Sequence, residues 1–266
     1  MQKKLSVAVV TFVLLGLSAC SLFPDKVDET KNWSVSKLYS EARDEMDGAH
    51  YERAVELFTK LESQYPFGTY AQQAQMEIAY AHYKTGDQAE ALAAVERFIK
   101  LHPNHANVDY MYYLRGLINF NDNIGFLNFI YKQDTTERDP KATREAFTAF
   151  KDLVTKFPNS KYTPDALARM RFLVNAMASY EVHVARYYYR REAYLAAVNR
   201  AQGAVRDYRD APATEEALFI MTRSYDKLGQ PQLRDDAERV LLKNYPNSQF
   251  LSANGVKAEQ HWWKFW

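Results

Sequence analysis

Six histidines, one cysteine and a scatter of carboxylates are the side chains with which this chain of 266 residues could do chemistry. His50, His82, His102, His105, His183 and His261 contain no His-x-x-x-His pair, and a single Cys cannot complete a zinc set with them. His102 and His105 flank Pro103-Asn104 and read as turn residues. Glu215/Glu216 and Asp235/Asp236 are adjacent in sequence, so on a helix their side chains point to different sides. They are expected to be solvated face, not an acid/base couple. No Gly-x-Ser-x-Gly, phosphate loop or dinucleotide fingerprint occurs. No catalytic residue, metal site or cofactor is expected, and the chain does not read as an enzyme.

The cysteine has a different chemistry in view. Lys3 and Lys4 precede an apolar run from Leu5 to Leu17, which as a helix would rise only about 20 Å, too short for a hydrocarbon core of about 30 Å. That is the layout of a secretory signal. The run ends Leu17-Ser18-Ala19-Cys20, which resembles the bacterial lipobox. Cys20 is then acylated and becomes the mature N-terminus; the alternative is an ordinary signal peptide with an incidental Cys. Ser21 in place of Asp follows the lipobox rule for the outer membrane, and stable anchoring needs more than one acyl chain.

With Cys20 modified no disulfide is available, so an exported body must be held by its core alone. A hydrophobic content of 47% and a charged content of 25% are those of a globular protein. Removal of Lys3 and Lys4 with residues 1–19 leaves 32 basic against 33 acidic side chains, which gives no support for nucleic-acid binding. Aromatics are high at 14%, with 19 Tyr, a composition that favours contact surface.

Residues 20–33 read as a polar tether, residues 34–250 as an all-α array, and residues 251–266 as an aromatic tail. Through the array, apolar residues recur at three- and four-residue spacing, and Gly is scarce at 9. Four helices end in an aromatic or His followed by Pro: Tyr65-Pro66, His102-Pro103, Phe157-Pro158 and Tyr245-Pro246; a fifth ends at Tyr208 without Pro. Ahead of the stops lie Ala54/Phe58/Leu61, Ala91/Val95/Phe98, Ala146/Phe150/Leu153, Ala197/Ala201/Ala204 and a degenerate Arg234/Glu238/Leu241. A small residue lets two antiparallel helices cross closely, and the next two fill the gap to the following unit. Pro then ends the helix. Gly86 and Gly229 supply the break inside their units. This is the tetratricopeptide (TPR) pattern of about 34 residues. The stops are 37, 55, 51 and 37 residues apart, so five helix pairs are expected, the third and fourth elongated. The extra length of the third falls at 121–139, with Asp139 as an N-cap before Pro140; it is either a binding loop or an inert one.

Several segments read as contact surface or, alternatively, as packing between repeats. Tyr65-Pro66-Phe67-Gly68-Thr69-Tyr70 gathers three rings at the first junction. Asp109 to Gly116, with Tyr110 and Tyr113, is the first helix of the third unit, and first helices line the inner groove of such arrays. Arg186 to Arg191 is both aromatic and basic. The terminal Trp262-Trp263-Lys264-Phe265-Trp266 would be a large apolar patch unless it folds back on the last repeat, enters a membrane interface or meets a partner.

The order and spacing of these features resemble the BamD family, the TPR lipoproteins of the outer-membrane β-barrel assembly machinery, named in some β-proteobacteria as competence lipoproteins. The resemblance is carried by Cys20, Tyr65-Pro66-Phe67-Gly68 with Gln72-Gln73, Phe98-Ile99 to His102-Pro103, and Asp109-Tyr110 with Tyr113 and Arg115-Gly116. It continues through Arg138-Asp139-Pro140, Phe157 to Ser160, Val184-Ala185 with Tyr187-Tyr188, and Val198-Asn199-Arg200. The Trp-rich end is similar to the β-proteobacterial branch. What the resemblance implies is a periplasm-facing, lipid-anchored outer-membrane subunit. It would dock on the BamA-like barrel insertase through POTRA domains, sit with other Bam lipoproteins, and receive unfolded barrel precursors through their C-terminal aromatic signal. Tyr65, Phe67, Gly68, Tyr70, Gln73, Tyr110 and Tyr113 are then the expected precursor site. Arg200 is the expected partner contact, with a free guanidinium able to pair with a carboxylate, together with Tyr188, Arg138, Asp139, Trp262 and Trp263. The alternatives are a peptidoglycan-associated lipoprotein supporting competence, or one recruiting a cell-wall enzyme.

Overall fold

The computed structural model describes residues 29–123 and 140–251. Among these residues there are ten α-helices and no strand. They are α1 Val35–Asp47, α2 Tyr51–Gln64, α3 Thr69–Thr85, α4 Gln88–Leu101, α5 Val108–Asn123, α6 Pro140–Lys156, α7 Thr163–Arg190, α8 Tyr194–Asp207, α9 Thr214–Lys227 and α10 Pro231–Asn244. Each packs mainly on its neighbours in sequence. Ahead of Ser34, Glu29–Asn32 form a 3₁₀ turn whose Thr30 is buried, and Trp33 packs on the first core.

Two kinds of turn alternate. Within a pair, one residue takes a left-handed backbone: Ala49 (φ 60°), Gly86 (φ 83°), Glu192 (φ 59°) and Gly229 (φ 66°). The following N–H then bonds five residues back: His50 to Glu45, Asp87 to His82, Ala193 to Tyr188 and Gln230 to Tyr225, all at 2.9–3.0 Å. This is the Schellman closure, which satisfies carbonyls the helix end leaves open. Between pairs, Tyr65, His102, Tyr208 and Tyr245 share one cap conformation (φ near −130°, ψ 50–69°), each N–H bonding the carbonyl four residues back. Tyr208 adopts it without a following Pro. After 102, 157 and 208 the next helix starts six residues on, through paired i+3 to i bonds. The first junction is shorter: Gly68 (φ 97°, ψ −178°) restarts the chain directly into α3, a conformation essentially confined to glycine.

Left-handed Ala49 and Glu192 each carry a Cβ where Gly carries none. Glu192→Gly at this exposed turn is expected to raise stability by about 0.5–1 kcal/mol and Tm by about 2 °C. Thermal unfolding followed by circular dichroism checks this, and a lower Tm would contradict it.

The triplets form the core. Ala54, Phe58 and Leu61; Ala91, Val95 and Phe98; Ala146, Phe150 and Leu153; and Ala197, Ala201 and Ala204 are all fully buried. Each set packs with the first helix of the next unit: Ala74 and Ala81 of α3; Met111, Leu114 and Ile118 of α5; Ala166 and Leu173 of α7; Ala217 and Ile220 of α9. In the last unit only Leu241 of the degenerate triplet is buried. The extra length of the fourth unit lies inside α7, which runs unbroken for 28 residues.

Candidate functional site

The first helices of successive pairs turn one face to a shared groove. Arg43 of α1, Met76, Glu77 and Tyr80 of α3, Tyr110 of α5, and Lys161 and Tyr162 just ahead of α7 enclose a cavity of about 360 Å³. Helical spacing sets this up: Tyr39 and Arg43 stack on α1, Tyr70 and Glu77 on α3, Tyr110 and Tyr113 on α5. The Tyr39 ring lies 5.2 Å from Tyr70 and 5.8 Å from Phe58. Arg43 Nη1 donates to Glu77 Oε1 at 2.6 Å. Further along, Tyr162 sits 5.6 Å from Tyr110 and stacks on Tyr113 at 4.7 Å and 14°. Tyr113 donates its hydroxyl to Asp165 Oδ2 at 2.7 Å, and Arg169 Nε donates to the same oxygen at 2.6 Å.

Charge in the groove is tightly held. Burial pushes the Tyr110 hydroxyl up, and burial with the Asp165 bond pushes Tyr113 up to about 12, so both are neutral donors at physiological pH. At Asp165, burial works upward, but the bonds from Arg169 and Tyr113 outweigh it and hold the carboxyl low. Glu77 goes the other way: burial outweighs the attraction of Arg43, and its carboxyl lies above the ordinary 4.5. The folded chain therefore keeps this proton to higher pH than the unfolded chain, so Glu77 favours folding as pH falls and opposes it as pH rises through the raised value. Glu77→Gln is expected to leave stability at pH 7 unchanged or slightly higher, the difference vanishing as pH falls toward 4.5. Tm measured across that range tests it; a loss of about 1 kcal/mol or more at pH 7 would show that the ion pair with Arg43 outweighs the burial cost.

The expected precursor residues divide between two places. Tyr70, Tyr110 and Tyr113 stand on first helices of consecutive units, with Tyr70 37% exposed and the other two half-buried; Gln73 is exposed on α3. Tyr65 and Phe67 belong to the first junction. Tyr65 donates to the Trp33 carbonyl at 3.0 Å, and Phe67, carried over the tight turn that Gly68 makes, is 90% exposed. Arg43, Glu77, Tyr80 and Tyr162 were not singled out from sequence. Arg43 stands on α1, Glu77 and Tyr80 on α3, and Tyr162 just ahead of α7, all outside any aromatic run, and only their superposition makes a groove.

On the later units the expectations change more. Arg200 of α8 is not free: Nη1 lies 3.2 Å from Glu181 Oε2 on α7, with the side chain 46% exposed. A long guanidinium one helix away from a half-buried carboxylate closes on it. Tyr188 is half-buried against the fourth core cluster and 5.7 Å from the Tyr187 ring. Glu216, expected on a solvated face, instead accepts two bonds from Arg186, Nε at 2.8 Å and Nη2 at 2.7 Å, and so ties α9 to α7. His102 bonds Gln75 Oε1 at 3.0 Å and packs on Phe98, a repeat-boundary role. Cys20, Arg138, Asp139, Trp262 and Trp263 lie outside the described residues.

Arg115 is a further joint between units. Its Nη1 reaches Glu96 of α4 at 3.0 Å, its Nη2 reaches Asp152 of α6 at 2.6 Å, and its guanidinium lies 4.9 Å over the Tyr112 ring. No group of three metal-ligating side chains and no helix long and apolar enough to cross a membrane occurs among the described residues. The described surface offers grooves, rings and paired charges.

A family model described as an outer membrane lipoprotein, YfiO, matches residues 31–240. "Outer membrane protein assembly factor BamD" of Neisseria meningitidis serogroup A is 49% identical over 256 residues, covering 95% of this chain and 96% of that protein. The protein of the same name from Neisseria gonorrhoeae is 49% identical over 255 residues, covering 95% and 96%. That from Vibrio cholerae is 39% identical over 230 residues, covering 85% and 93%.

Proposed function

The chain belongs to the YfiO family of outer membrane lipoproteins, and from that premise we propose how it works as an outer membrane protein assembly factor. It is a helical scaffold of the Bam assembly machinery and not an enzyme. The observation that carries this is the near full-length identity to proteins of that name.

The finer reading is ours. Residues 1–19 direct export, Cys20 carries the lipid, and the array faces the periplasm from the outer membrane. The groove of Tyr39, Arg43, Tyr70, Glu77, Tyr80 and Tyr110 receives an extended segment of an unfolded barrel precursor ending in an aromatic residue. Its rings offer stacking faces, and Arg43 and Lys161 offer cations to a terminal carboxylate. Tyr65 and Phe67 guide the segment at the first junction. The later units, around Arg200 and Tyr188 and with Arg138 and Asp139, take the POTRA domains of the barrel insertase and the other Bam lipoproteins.

Gentle detergent extraction of the outer membrane, followed by pull-down on this protein, tests the assignment. Stoichiometric recovery of a POTRA-bearing barrel protein is expected; recovery with peptidoglycan or a cell-wall hydrolase and no barrel protein would sink it. The partner face has its own test. Arg200→Glu places a carboxylate opposite Glu181 and presents the wrong charge outward. Binding of the purified insertase should weaken by about tenfold or more. Unchanged affinity with intact helicity removes Arg200 from the contact.

A further inference from the structure

The last two units break a rule that the first three obey. Twelve and five residues before each stop, the second helix presents two side chains away from the core. In the first three units these are Arg53 and Lys60, Glu90 and Arg97, and Glu145 and Asp152, all charged. In the fourth they are Ala196 and Gly203, and in the fifth Leu233 and Val240. Leu233 and Val240 are 45% and 38% exposed. Between α8 and α10, floored by α9, lies a cleft of about 890 Å³. Val205, Leu218, Met221, Tyr225, Leu233 and Val240 give it an apolar lining. A Cβ on Gly203 of α8 would meet no neighbouring atom, so the helix leaves open space there, while its Val205 and Arg206 line the cleft. Two neighbouring second helices have thus exchanged charge for small and aliphatic residues, which is how a solvent face becomes a docking face.

Beyond α10 the chain leads toward that cleft. Tyr245, at the helix end, lines the cleft and bonds Thr214 of α9 at 2.6 Å. Gln249–Leu251 form a 3₁₀ turn, and Phe250 stacks on Phe219 of α9 at 4.9 Å and 20°. The described chain therefore ends against the helix that floors the cleft. Fifteen residues come after Leu251 in the sequence. Extended, they reach up to about 50 Å, whereas α10 is only about 21 Å long, so a return along it is well within reach. Their apolar content is concentrated in Trp262, Trp263, Phe265 and Trp266, with Lys264 between them. The cleft offers these rings aliphatic walls, the guanidinium groups of Arg206 and Arg209 for cation–π contact, and Asp210 and Asp236 for Lys264.

We propose that residues 252–266 dock in the cleft between α8 and α10, the tryptophans covering Leu233 and Val240, so that the array is closed by its own C-terminal segment. The segment thereby does for the last unit what the next first helix does for the others, but on the opposite face. This closure does not depend on the role in barrel assembly.

The chain has 4 Trp, and Trp33→Phe leaves only the three of this segment. In the full-length, detergent-solubilised protein carrying that change, we expect blue-shifted emission and weak acrylamide quenching. Leu233→Arg and Val240→Glu restore the charged character of the earlier units and should not disturb the fold, to be confirmed by far-UV circular dichroism. Each should shift emission to the red and raise the quenching constant several-fold. Red emission before any cleft substitution overturns the proposal. So does protected emission that both substitutions leave unchanged; if that protection falls with micelle or protein concentration, the occupant is lipid or a second copy instead.

Discussion

Gly116→Ala should destabilise the protein by about 3 kcal/mol and lower Tm by about 10 °C. A Cβ at this position would lie 2.3 Å from Phe150 Cε1, 2.4 Å from Cδ1 and 2.9 Å from Cζ. Phe150 cannot yield by changing rotamer alone, because it is fully buried in the third core cluster with Ala146, Leu153, Ala166 and Leu173. The ring reaches the α5 backbone because Gly116 has no side chain; any Cβ must push α5 and α6 apart or drive the ring into α7. Moving α5 also strains the bonds of Arg115 to Glu96 and Asp152, so the second and third units feel the change together. Phe150→Leu in the Gly116→Ala background should recover about 1 kcal/mol or more of the loss although it costs stability on its own, since the two sites share one contact. Strict additivity in that double-mutant cycle would mean that the packing is not what glycine serves here.

The largest functional effect is expected at Tyr110. Tyr110→Ala should weaken capture of an extended peptide ending in Phe by about 2 kcal/mol, or roughly thirtyfold. Tyr110→Phe should leave it nearly unchanged. The ring is what the groove offers: it lies 5.6 Å from Tyr162 and shares a wall with Glu77 and Tyr80, whereas its hydroxyl is buried and neutral. Fluorescence anisotropy with a labelled peptide, with circular dichroism as the control for folding, distinguishes the outcomes. Equal, undiminished binding by both variants would move the precursor site away from this groove. If the Phe variant loses as much as the Ala variant, recognition runs through the hydroxyl and not through stacking.

The repeat was legible in the sequence because it is written in one dimension. Ala54/Phe58/Leu61 and its counterparts sit at fixed distances from an aromatic stop, and burial along a solenoid needs only nearest neighbours. The stop at Tyr208 shows that the cap is set by helix geometry and not by Pro alone. Left-handed turns were legible at Gly86 and Gly229 but not at Ala49 and Glu192, where the turn imposes the conformation on residues that do not prefer it. The 51-residue interval between stops announced extra length in the fourth unit, yet only folding shows it taken up as helix. Pairing across helices was the least legible. Glu216 looked solvated and Arg200 looked free, and each meets its partner, Arg186 or Glu181, only when α7 is laid beside α8 and α9. The groove was half legible: Tyr70, Tyr110 and Tyr113 were visible as rings, whereas Arg43, Glu77 and Tyr162 acquire meaning from three-dimensional neighbours.

α7 has a mechanical consequence. A stack of helix pairs ordinarily bends a little at every turn, as a chain of links does. Here one helix of 28 residues gives Ala166 and Leu173 to the third core and Val182 and Ala185 to the fourth, then clamps α9 through Arg186. At 1.5 Å per residue it is a splint of about 42 Å with no joint along its length. A pull on the later units therefore arrives at Tyr162, Asp165 and Arg169, beside the groove, as displacement rather than slack. A ligand that shifts those residues tilts the far end as a lever would.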